Sequence, residues 1–404
     1  MGQSAGRRWG AGSVRLAVSG GPGGRARPVE WRGWPYPNRV TSHAQTRRRA
    51  TARTRRAIAA ALLVALVSGC SSVSWTPGQG SPAASAGVPE QTGPAEITLA
   101  FAGDVHFSGR NEKLLDDPAA AFGPVSELLS AADVAMVNLE SAVTTRGTEE
   151  PKRFHFRAPE AAYAAVLAAG VDVVSIGNNH ALDYGRVGLA DTLQFATAAG
   201  VPAVGAGANA AEAYRPWITT VKGTRIAYLG FSQIAELASS WAAKDDKPGI
   251  AMAMDTARAT AAVKAAKAEA DVVVVYVHWG YEGQQCPNGE QKRFAKVMAE
   301  AGATMVLGTH SHLLLGDGWL GSTYVQYGLG NFVWWRDDAW SNDTGVLQVT
   351  LFGNKITKTE FVPALIDRRT GQPIPTSGSE SDRILKKYAG LRKCTGLAAE
   401  PSGG

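Results

Sequence analysis

Histidines and carboxylates gather at the points where apolar stretches of the chain end. The chain has seven histidines, and five of them come just after a stretch that predicts a buried strand. These five are His106, His180, His278, His310 and His312. Imidazole together with carboxylate suits Zn, Mn or Fe. A single histidine at a strand end is more often a structural residue, but four strand ends that deliver such groups to one edge favour a metal site.

The spacing within pairs of these residues supports a shared site. Asp104 and His106 are two residues apart, as are His310 and His312. Both side chains of such a pair point the same way from an extended segment. Open α/β sheets bind ligands at the carboxyl edge of their strands, so we expect these groups to meet there.

Alternating strands and helices are predicted to position these residues. Apolar runs predict the strands, and the stretches between them suit helices. Predicted strands are 97–102, 134–137, 171–176, 218–221, 225–231, 272–277, 304–307, 324–327, 345–351 and 355–362, and predicted helices are 122–131, 159–169, 187–199, 255–268, 290–301 and 382–391. Repeated strand–helix units indicate an α/β domain with buried sheets. The late strands, which have few helices between them, favour a second sheet or an antiparallel edge.

The ordered set of motifs resembles a known group of enzymes. The motifs are Ala102-Gly103-Asp104, Asn138-Leu139-Glu140, Asn178-Asn179-His180-Ala181-Leu182-Asp183, His278-Trp279-Gly280, Thr309-His310-Ser311-His312 and Leu329-Gly330-Asn331-Phe332. Together they resemble the calcineurin-like metallophosphoesterases, and more closely the bacterial capsule-synthesis CapA (poly-γ-glutamate, PGA_cap) family. The resemblance spans residues 96–366. It implies an α/β fold, a four-layer αββα sandwich of two mixed β-sheets flanked by helices.

The resemblance also implies a role for each site residue. Two divalent ions (Mn, Zn or Fe) would be held by Asp104, His106, Glu140, Asn179, His278, His310 and His312. His180 would face the substrate and protonate the leaving oxygen. Asp183 would orient His180 and fix its tautomer.

Glu140 departs from the pattern, because the phosphoesterases place an aspartate at this bridging position. Two-metal hydrolysis needs ions roughly 3.5–4 Å apart, and a longer glutamate could spread the ions or weaken one site. The intact histidine set favours a metal-dependent hydrolase or transferase that acts on an anionic envelope polymer, such as poly-γ-glutamate, or on a phosphoester. Glu140 favours the alternative, a non-catalytic accessory protein of a polymer synthase complex with a vestigial metal site.

Further residues are candidates for substrate contact: Arg153, His155, Arg157, Glu282 and Asn331. The first three lie in a basic loop that either meets an anionic substrate or is simply solvated. Glu282 is an extra acid, and Asn331 belongs to the last motif of the resemblance. Trp279, Trp334 and Trp335 either stack on a substrate or pack within the protein.

The N-terminal segment has the features of an export signal. Thirteen arginines and one acid precede Cys70, which gives a formal charge of +12, so the overall +6 leaves −6 for residues 70–404. This mildly acidic remainder offers no basic groove for nucleic acid. Residues 58–67 form an apolar run that is too short for a membrane span of roughly 20 residues and typical of a signal peptide.

The end of this signal predicts a membrane anchor. Val67-Ser68-Gly69-Cys70 resembles a bacterial lipobox, so we expect lipid on Cys70; the alternative is a plain secretory signal with an incidental cysteine. Residues 1–69 would form the leader and signal peptide, and 70–95 a disordered tether rich in Ser, Gly, Pro and Ala. Because residues 1–39 lie upstream of a complete signal, we expect translation to start near Val40. The predicted location is extracytoplasmic, on the cell membrane, beside polymer synthase subunits.

Two cysteines remain in the exported part. Outside the cytoplasm disulfides persist, so Cys286 and Cys394 are expected to form a bridge that ties the C-terminal tail to a loop at the active face. The alternative is two free thiols. The tail, 367–404, is polar.

Overall fold

The computed structural model describes residues 95–336 and 339–402, in which strands and helices alternate along most of the chain. The strands are β1 (Glu96–Val105), β2 (Val134–Leu139), β3 (Ala142–Val143), β4 (Arg157–Ala158), β5 (Val173–Ser175), β6 (Ala203–Val204), β7 (Ala206–Gly207), β8 (Trp217–Val221), β9 (Thr224–Ser232), β10 (Gly249–Ile250), β11 (Val272–His278), β12 (Met305–Thr309), β13 (Asp317–Leu320), β14 (Thr323–Gln326), β15 (Asn331–Val333), β16 (Asp343–Phe352), β17 (Lys355–Ile366) and β18 (Pro373–Pro375). The helices are α1 (Ser126–Ser130), α2 (Ala161–Ala168), α3 (Gly185–Ala199), α4 (Ala210–Ala213), α5 (Ala238–Trp241), α6 (Thr256–Glu269), α7 (Gly289–Ala301) and α8 (Gly378–Leu391). The leader, the lipobox and the tether predicted from the sequence lie outside these residues, apart from residue 95.

Two mixed sheets form the centre of the fold. The first runs in the order β18-β17-β16-β1-β2-β5-β6, with β15 also paired to β1, and the second runs β13-β14-β12-β11-β9-β8. In the first sheet β1, β2, β5 and β6 are parallel, and in the second β9, β11, β12 and β14 are parallel. The carboxyl ends of each parallel set therefore share one edge.

The sheets pack against each other through one face of every central strand. In β1, Leu99 and Phe101 enter the core between the sheets, where they meet Val274 and Tyr276 of β11. The hydroxyl of Tyr276 donates a hydrogen bond to the carbonyl of Ala102, which links the two sheets. Because successive side chains of a strand point to opposite faces, the residues between these face outward.

Helices cover both outward faces. Ala100 and Ala102 of β1 pack in a core with Leu129 of α1, Val166 of α2 and Leu189 of α3. On the other side, alternate valines of β11 pack in a second core with residues of α6 and α7. Central strands that are buried on both faces become continuous apolar runs, which is why they were visible in the sequence. The four-layer αββα sandwich predicted from the sequence is confirmed.

Several boundaries differ from the prediction for local reasons. The helix predicted over 122–131 is shortened to α1, because Gly123 takes a positive φ of 66° and Pro124 follows it in a separate 3₁₀ turn. Both arrangements considered for the late strands occur. Strand β14 joins the second sheet beside β12, whereas β16 and β17 form an antiparallel edge on β1 of the first sheet.

The fold continues past residue 366. Strand β18 adds to the edge of the first sheet, and α8 places Ile384, Tyr388 and Leu391 in the core between the sheets. Cys286 and Cys394 are joined as a disulfide across 108 residues of sequence. None of the helices in the described part of the chain is long and apolar enough to cross a membrane.

Candidate metal centre

Five strands from the two sheets bring polar side chains to one edge. Asp104 lies near the end of β1, Glu140 directly follows β2, and His278 ends β11. His310 and His312 follow β12, and Asn179 and His180 follow β5. All of these side chains are at least nine-tenths buried. The convergence expected from the sequence is therefore present.

The ligand atoms lie close enough together to hold cations. Within the described residues, three groups have ligand atoms that all lie within 4.8 Å of one another: Glu140 with His278 and His310, Asp104 with Glu140 and His312, and Glu282 with His310 and His312. Glu140 belongs to the first two groups. His310 and His312 are likewise each shared by two groups, so the three groups form one connected set of candidate ligands.

Buried atoms without partners show that these residues fit a metal centre. Both carboxylate oxygens of Glu140, Nε2 of His106 and Nδ1 of His312 are buried and have no hydrogen-bond partner. A buried carboxylate without a donor or a cation is costly. Burial, and then the nearby charge of Asp104, raise the pKa of Glu140 well above its usual value. A divalent cation held by these residues would supply positive charge beside the Glu140 carboxylate.

Three of the predicted histidine ligands are neutral, which is the form that binds metal. Burial lowers the pKa of His106 and of His278 to about 3, and it lowers the pKa of His310 well below its usual value. Neutral imidazole keeps a nitrogen lone pair, which is the form that coordinates a metal.

A chain of amides orients the carboxylate of Asp104. Asn138 Nδ2 donates to Asp104 Oδ1 over 2.8 Å, and Asn178 Nδ2 donates to Asn138 Oδ1 over 3.0 Å. The backbone N–H of His310 donates to the other Asp104 oxygen over 3.1 Å. Such outer contacts fix the direction of a ligand and tune its affinity. The sequence contained both asparagines in its motifs but gave no role for them.

His180 is held by a carboxylate and lies next to the metal residues. Its Nδ1 is 2.6 Å from Asp183 Oδ2, as the resemblance implied, and its Nε2 is 3.7 Å from Glu140 Oε1. Burial raises the pKa of Asp183 to about 6, against the opposing effect of Lys152. Burial, followed by the charge of Lys152, lowers the pKa of His180 well below its usual value.

Lys152 is a site residue that the sequence did not reveal. Its side chain is 2 % exposed and its Nζ is 2.9 Å from Asp183 Oδ1. The same ammonium donates to the backbone carbonyl of Asn179. The sequence showed only that Lys152 belongs to a basic loop, because its partners are some thirty residues away along the chain.

Aromatic rings pack against the histidines. Phe156 stacks on His106 at 4.4 Å and on His180 at 3.9 Å between ring centroids. Trp334 lies 4.3 Å from His106 and 4.4 Å from His312. Of the three tryptophans considered from the sequence, Trp334 lines the site. Trp279 is fully buried, and Trp335 donates its indole N–H to the Arg368 carbonyl.

The Thr309-His310-Ser311-His312 motif has an unusual backbone. His310 and His312 have positive φ angles of 83° and 56°. Non-glycine residues rarely adopt such angles, and where they do the surrounding structure must stabilise them. The strain lies at the two residues that the sequence placed in the metal centre.

The predicted substrate residues take different positions. His155 and Arg157 line a cavity of about 320 Å³, together with Ser108, Thr144 and Tyr184. The Arg157 guanidinium lies 3.3 Å above the Tyr184 ring, and its backbone N–H donates to Ser108 Oγ over 2.7 Å. Ser108 in turn donates its backbone N–H to His106 Nδ1 over 3.2 Å, so this cavity adjoins the candidate metal centre.

The other substrate candidates are not grouped with this cavity. Arg153 packs its guanidinium 4.8 Å from the Phe154 ring. Asn331 is fully buried and pairs with Asp104 in the first sheet. Substrate contact by Asn331 stays a prediction, because Asp104 and Glu140 of the candidate centre are just as fully buried. Glu282 Oε1 is 3.9 Å from His312 Nε2.

Known proteins resemble this chain over most of the described fold. The family described as "Bacterial capsule synthesis protein PGA_cap" matches residues 98–335. The chain belongs to this family. The PGA biosynthesis protein CapA of Bacillus subtilis is 30% identical over 72% of this chain and 77% of its own length. The capsule biosynthesis protein CapA of Bacillus anthracis is 31% identical over 72% of each chain.

Solved structures resemble this PGA_cap protein more distantly. A phosphatase from Mycoplasma pneumoniae has a TM-score of 0.42 and 14% identity, and covers 72% of this chain and 97% of its own. The NAD nucleotidase of Haemophilus influenzae has a TM-score of 0.42 and 14% identity, over 77% of this chain and 58% of its own.

Proposed function

We propose that this protein is a metal-dependent hydrolase or transferase that acts outside the cytoplasm in the biosynthesis of capsule or poly-γ-glutamate. One observation carries the proposal: the buried, unpartnered carboxylate of Glu140 stands between two sets of metal-ligating side chains. The names of the Bacillus relatives support the biological setting.

The metal-binding residues and the His180–Asp183 pair would carry out different parts of the reaction. Bound divalent cations polarise a phosphoryl or carbonyl oxygen and lower the pKa of water. When Nδ1–H of His180 donates to Asp183, Nε2 faces the ligand cluster with its lone pair. Nε2 can take a proton from the attacking water or hydroxyl group and hand it to the leaving oxygen, while Asp183 keeps the ring oriented.

Neighbouring groups would position an anionic substrate. The cavity lined by His155 and Arg157 adjoins His106 through Ser108. A guanidinium binds carboxylate or phosphate through paired donors, and the Nε of Arg157 is buried without a partner. We infer that an anionic group of the polymer or ester enters this cavity while the scissile bond lies over the metal centre.

The test combines metal analysis with a diester reporter. Metal-stripped full-length protein is reloaded with Mn²⁺ and assayed on bis(p-nitrophenyl) phosphate, as wild type and as His180→Ala. We expect bound Mn²⁺ in both proteins and a kcat that is lower by roughly 10²–10⁴-fold in the variant, the usual size of general acid–base catalysis. Arg293→Ala changes an exposed residue of α7 and serves as the control.

An accessory role is the second candidate, favoured by the length of the Glu140 side chain. A glutamate at the bridging position can hold the ligand sets too far apart for joint action on one oxygen. In that case the wild type would bind metal and show no turnover on the diester. Absence of bound metal in the wild type would contradict the assignment of the metal centre and, with it, the metal-dependent enzyme.

We also propose that lipid on Cys70 anchors the protein to the cell membrane, near polymer synthase subunits. The lipobox-like sequence Val67-Ser68-Gly69-Cys70 supports this. Labelled fatty acid should enter the wild type and be absent from Cys70→Ala. Equal labelling of the two proteins would overturn the anchor.

A further inference from the structure

Glu282 lies at the outer side of the metal centre, on the loop between β11 and α7. Its carboxylate forms one of the three ligand groups, together with His310 and His312. The side chain is 40 % exposed, whereas His312 beside it is 6 % exposed. Glu282 thus stands between the buried ligands and solvent.

The distance between Glu282 and His312 suits two ligands of one ion. Oε1 of Glu282 is 3.9 Å from Nε2 of His312, which is too long for a hydrogen bond. Metal–nitrogen and metal–oxygen bonds of about 2.1 Å allow two ligands of one ion to lie up to about 4.2 Å apart. The gap is therefore of the size that a shared cation would fill.

The loop is fastened on both sides of Glu282. The backbone N–H of Gly283 donates to the carbonyl of Ser311 over 2.9 Å, which ties the loop to the residue between His310 and His312. Three residues further on, Cys286 is bonded to Cys394. The loop that carries Glu282 is therefore attached both to the segment between His310 and His312 and to the C-terminal segment.

Charge in the site also calls for an additional cation contact. Glu140 groups with His310, Asp104 and Glu140 group with His312, and Glu282 groups with both histidines, so the negative charges of these three carboxylates lie around the same two imidazoles. His312 Nδ1 and both Glu140 oxygens are buried without a hydrogen-bond partner. Cations shared among these groups would relieve that repulsion.

We propose that Glu282 is a direct ligand of the metal centre, binding the ion on the His310 and His312 side from a loop held by the Cys286–Cys394 bridge. This rests on the metal centre of the proposed function. It gives the site a third carboxylate, beyond Asp104 and Glu140.

The test measures metal binding and not turnover. Metal-stripped full-length protein is titrated with Mn²⁺ by calorimetry and with Co²⁺ by visible absorption, as wild type, Glu282→Gln and Glu290→Gln. Glu290 is an exposed acid on the neighbouring helix that pairs with Arg293, so its variant controls for the loss of one surface charge. We expect Glu282→Gln to bind one Mn²⁺ roughly ten- to a hundredfold more weakly and to change the Co²⁺ spectrum, and Glu290→Gln to match the wild type.

Two results would overturn the proposal while leaving the metal centre intact. One is unchanged Mn²⁺ affinity in Glu282→Gln. The other is weaker affinity with a wild-type Co²⁺ spectrum, which would show that Glu282 acts only through its charge. A wild type that binds no metal would overturn both this inference and the proposed function, so the two failures are distinguishable.

Discussion

At the scale of single residues, the site brings together carboxylates whose negative charges repel one another. A bound cation would reduce this repulsion. Glu140 lies in ligand groups with Asp104, His278, His310 and His312, and none of its neighbours donates a hydrogen bond to its oxygens. The unfavourable burial of this carboxylate is offset only when positive charge enters. Stability and metal binding are therefore coupled at Glu140.

This coupling predicts a dependence on pH. The pKa of Glu140 is raised in the folded protein, so the metal-free protein loses stability as the pH rises from the unfolded value of 4.5 through the raised value. Glu140→Gln stays neutral and lacks this loss. We expect metal-free Glu140→Gln to be more stable than the metal-free wild type at the upper end of the pH range, and the order to reverse in Mn²⁺. Urea unfolding between roughly pH 5 and 8, the range in which folded proteins are most stable, measures both.

Glu290→Gln, an exposed acid on α7, is the control for this experiment and should follow the wild type throughout. Parallel pH profiles for wild type and Glu140→Gln would contradict the account given for Glu140.

Which site residues the sequence could predict depends on where their partners lie. Asp104, His180 and His312 stand in short motifs at strand ends, so residue type and position were enough to predict them. Lys152 and Phe156 act through contacts with residues from other segments, and no local pattern indicates these contacts. The motif that contains Asn331 likewise did not indicate that this residue pairs with Asp104 in the first sheet.

At the scale of elements, close packing beside β12 sets the position of the last two histidines. A Cβ added at Gly308 would lie 2.1 Å from Nε1 of Trp279 and 2.3 Å from the carbonyl oxygen of Tyr327. These two atoms form a hydrogen bond of 2.9 Å. Only glycine allows β12 to approach them, two residues before His310.

Gly308→Ala is therefore expected to destabilise the protein by about 2–3 kcal/mol and to weaken Mn²⁺ binding, because Trp279 or β12 must move. Gly289→Ala is the matched control: nothing lies within 4 Å of a Cβ there, and alanine in the first turn of α7 should change stability by less than about 1 kcal/mol. Urea unfolding and Mn²⁺ calorimetry measure both effects. Equal stability of the two variants would show that the contact is not limiting.

The elements themselves were predictable where burial on both faces produced an apolar run. Strands β1, β9 and β11 follow such runs closely. Short strands such as β15 and β18 were missed, since three residues carry no period and their pairing depends on distant parts of the chain. The order of strands in the sheets was equally hidden, because β16 reaches β1 from more than two hundred residues away.

At the scale of the whole molecule, the C-terminal segment contacts both the second sheet and a loop beside the candidate metal centre. Arg392 donates to the Asp317 carbonyl over 2.8 Å, and Ala398 pairs with Trp319 of β13. The Cys286–Cys394 bridge fastens this segment to the loop that bears Glu282. Residues near the end of the described chain thus hold a loop that borders the metal centre.

Removal of this disulfide should lower the free energy of unfolding more than it alters the fold. Because it closes a loop of about a hundred residues, its removal frees the unfolded chain, and the metal-free Cys286→Ser, Cys394→Ser double variant should lose about 2–5 kcal/mol of unfolding free energy. A saturating cation stabilises only the folded state, by about 2.7 kcal/mol at a concentration one hundred times its Kd. Mn²⁺ added at the same multiple of each protein's Kd should therefore raise the unfolding free energy of both proteins equally.

A reducing agent should lower the unfolding free energy of the wild type to that of the double variant and leave the variant unchanged. A wild type whose stability does not change on reduction, or a variant as stable as the wild type, would show that the bridge does not hold the segment in place.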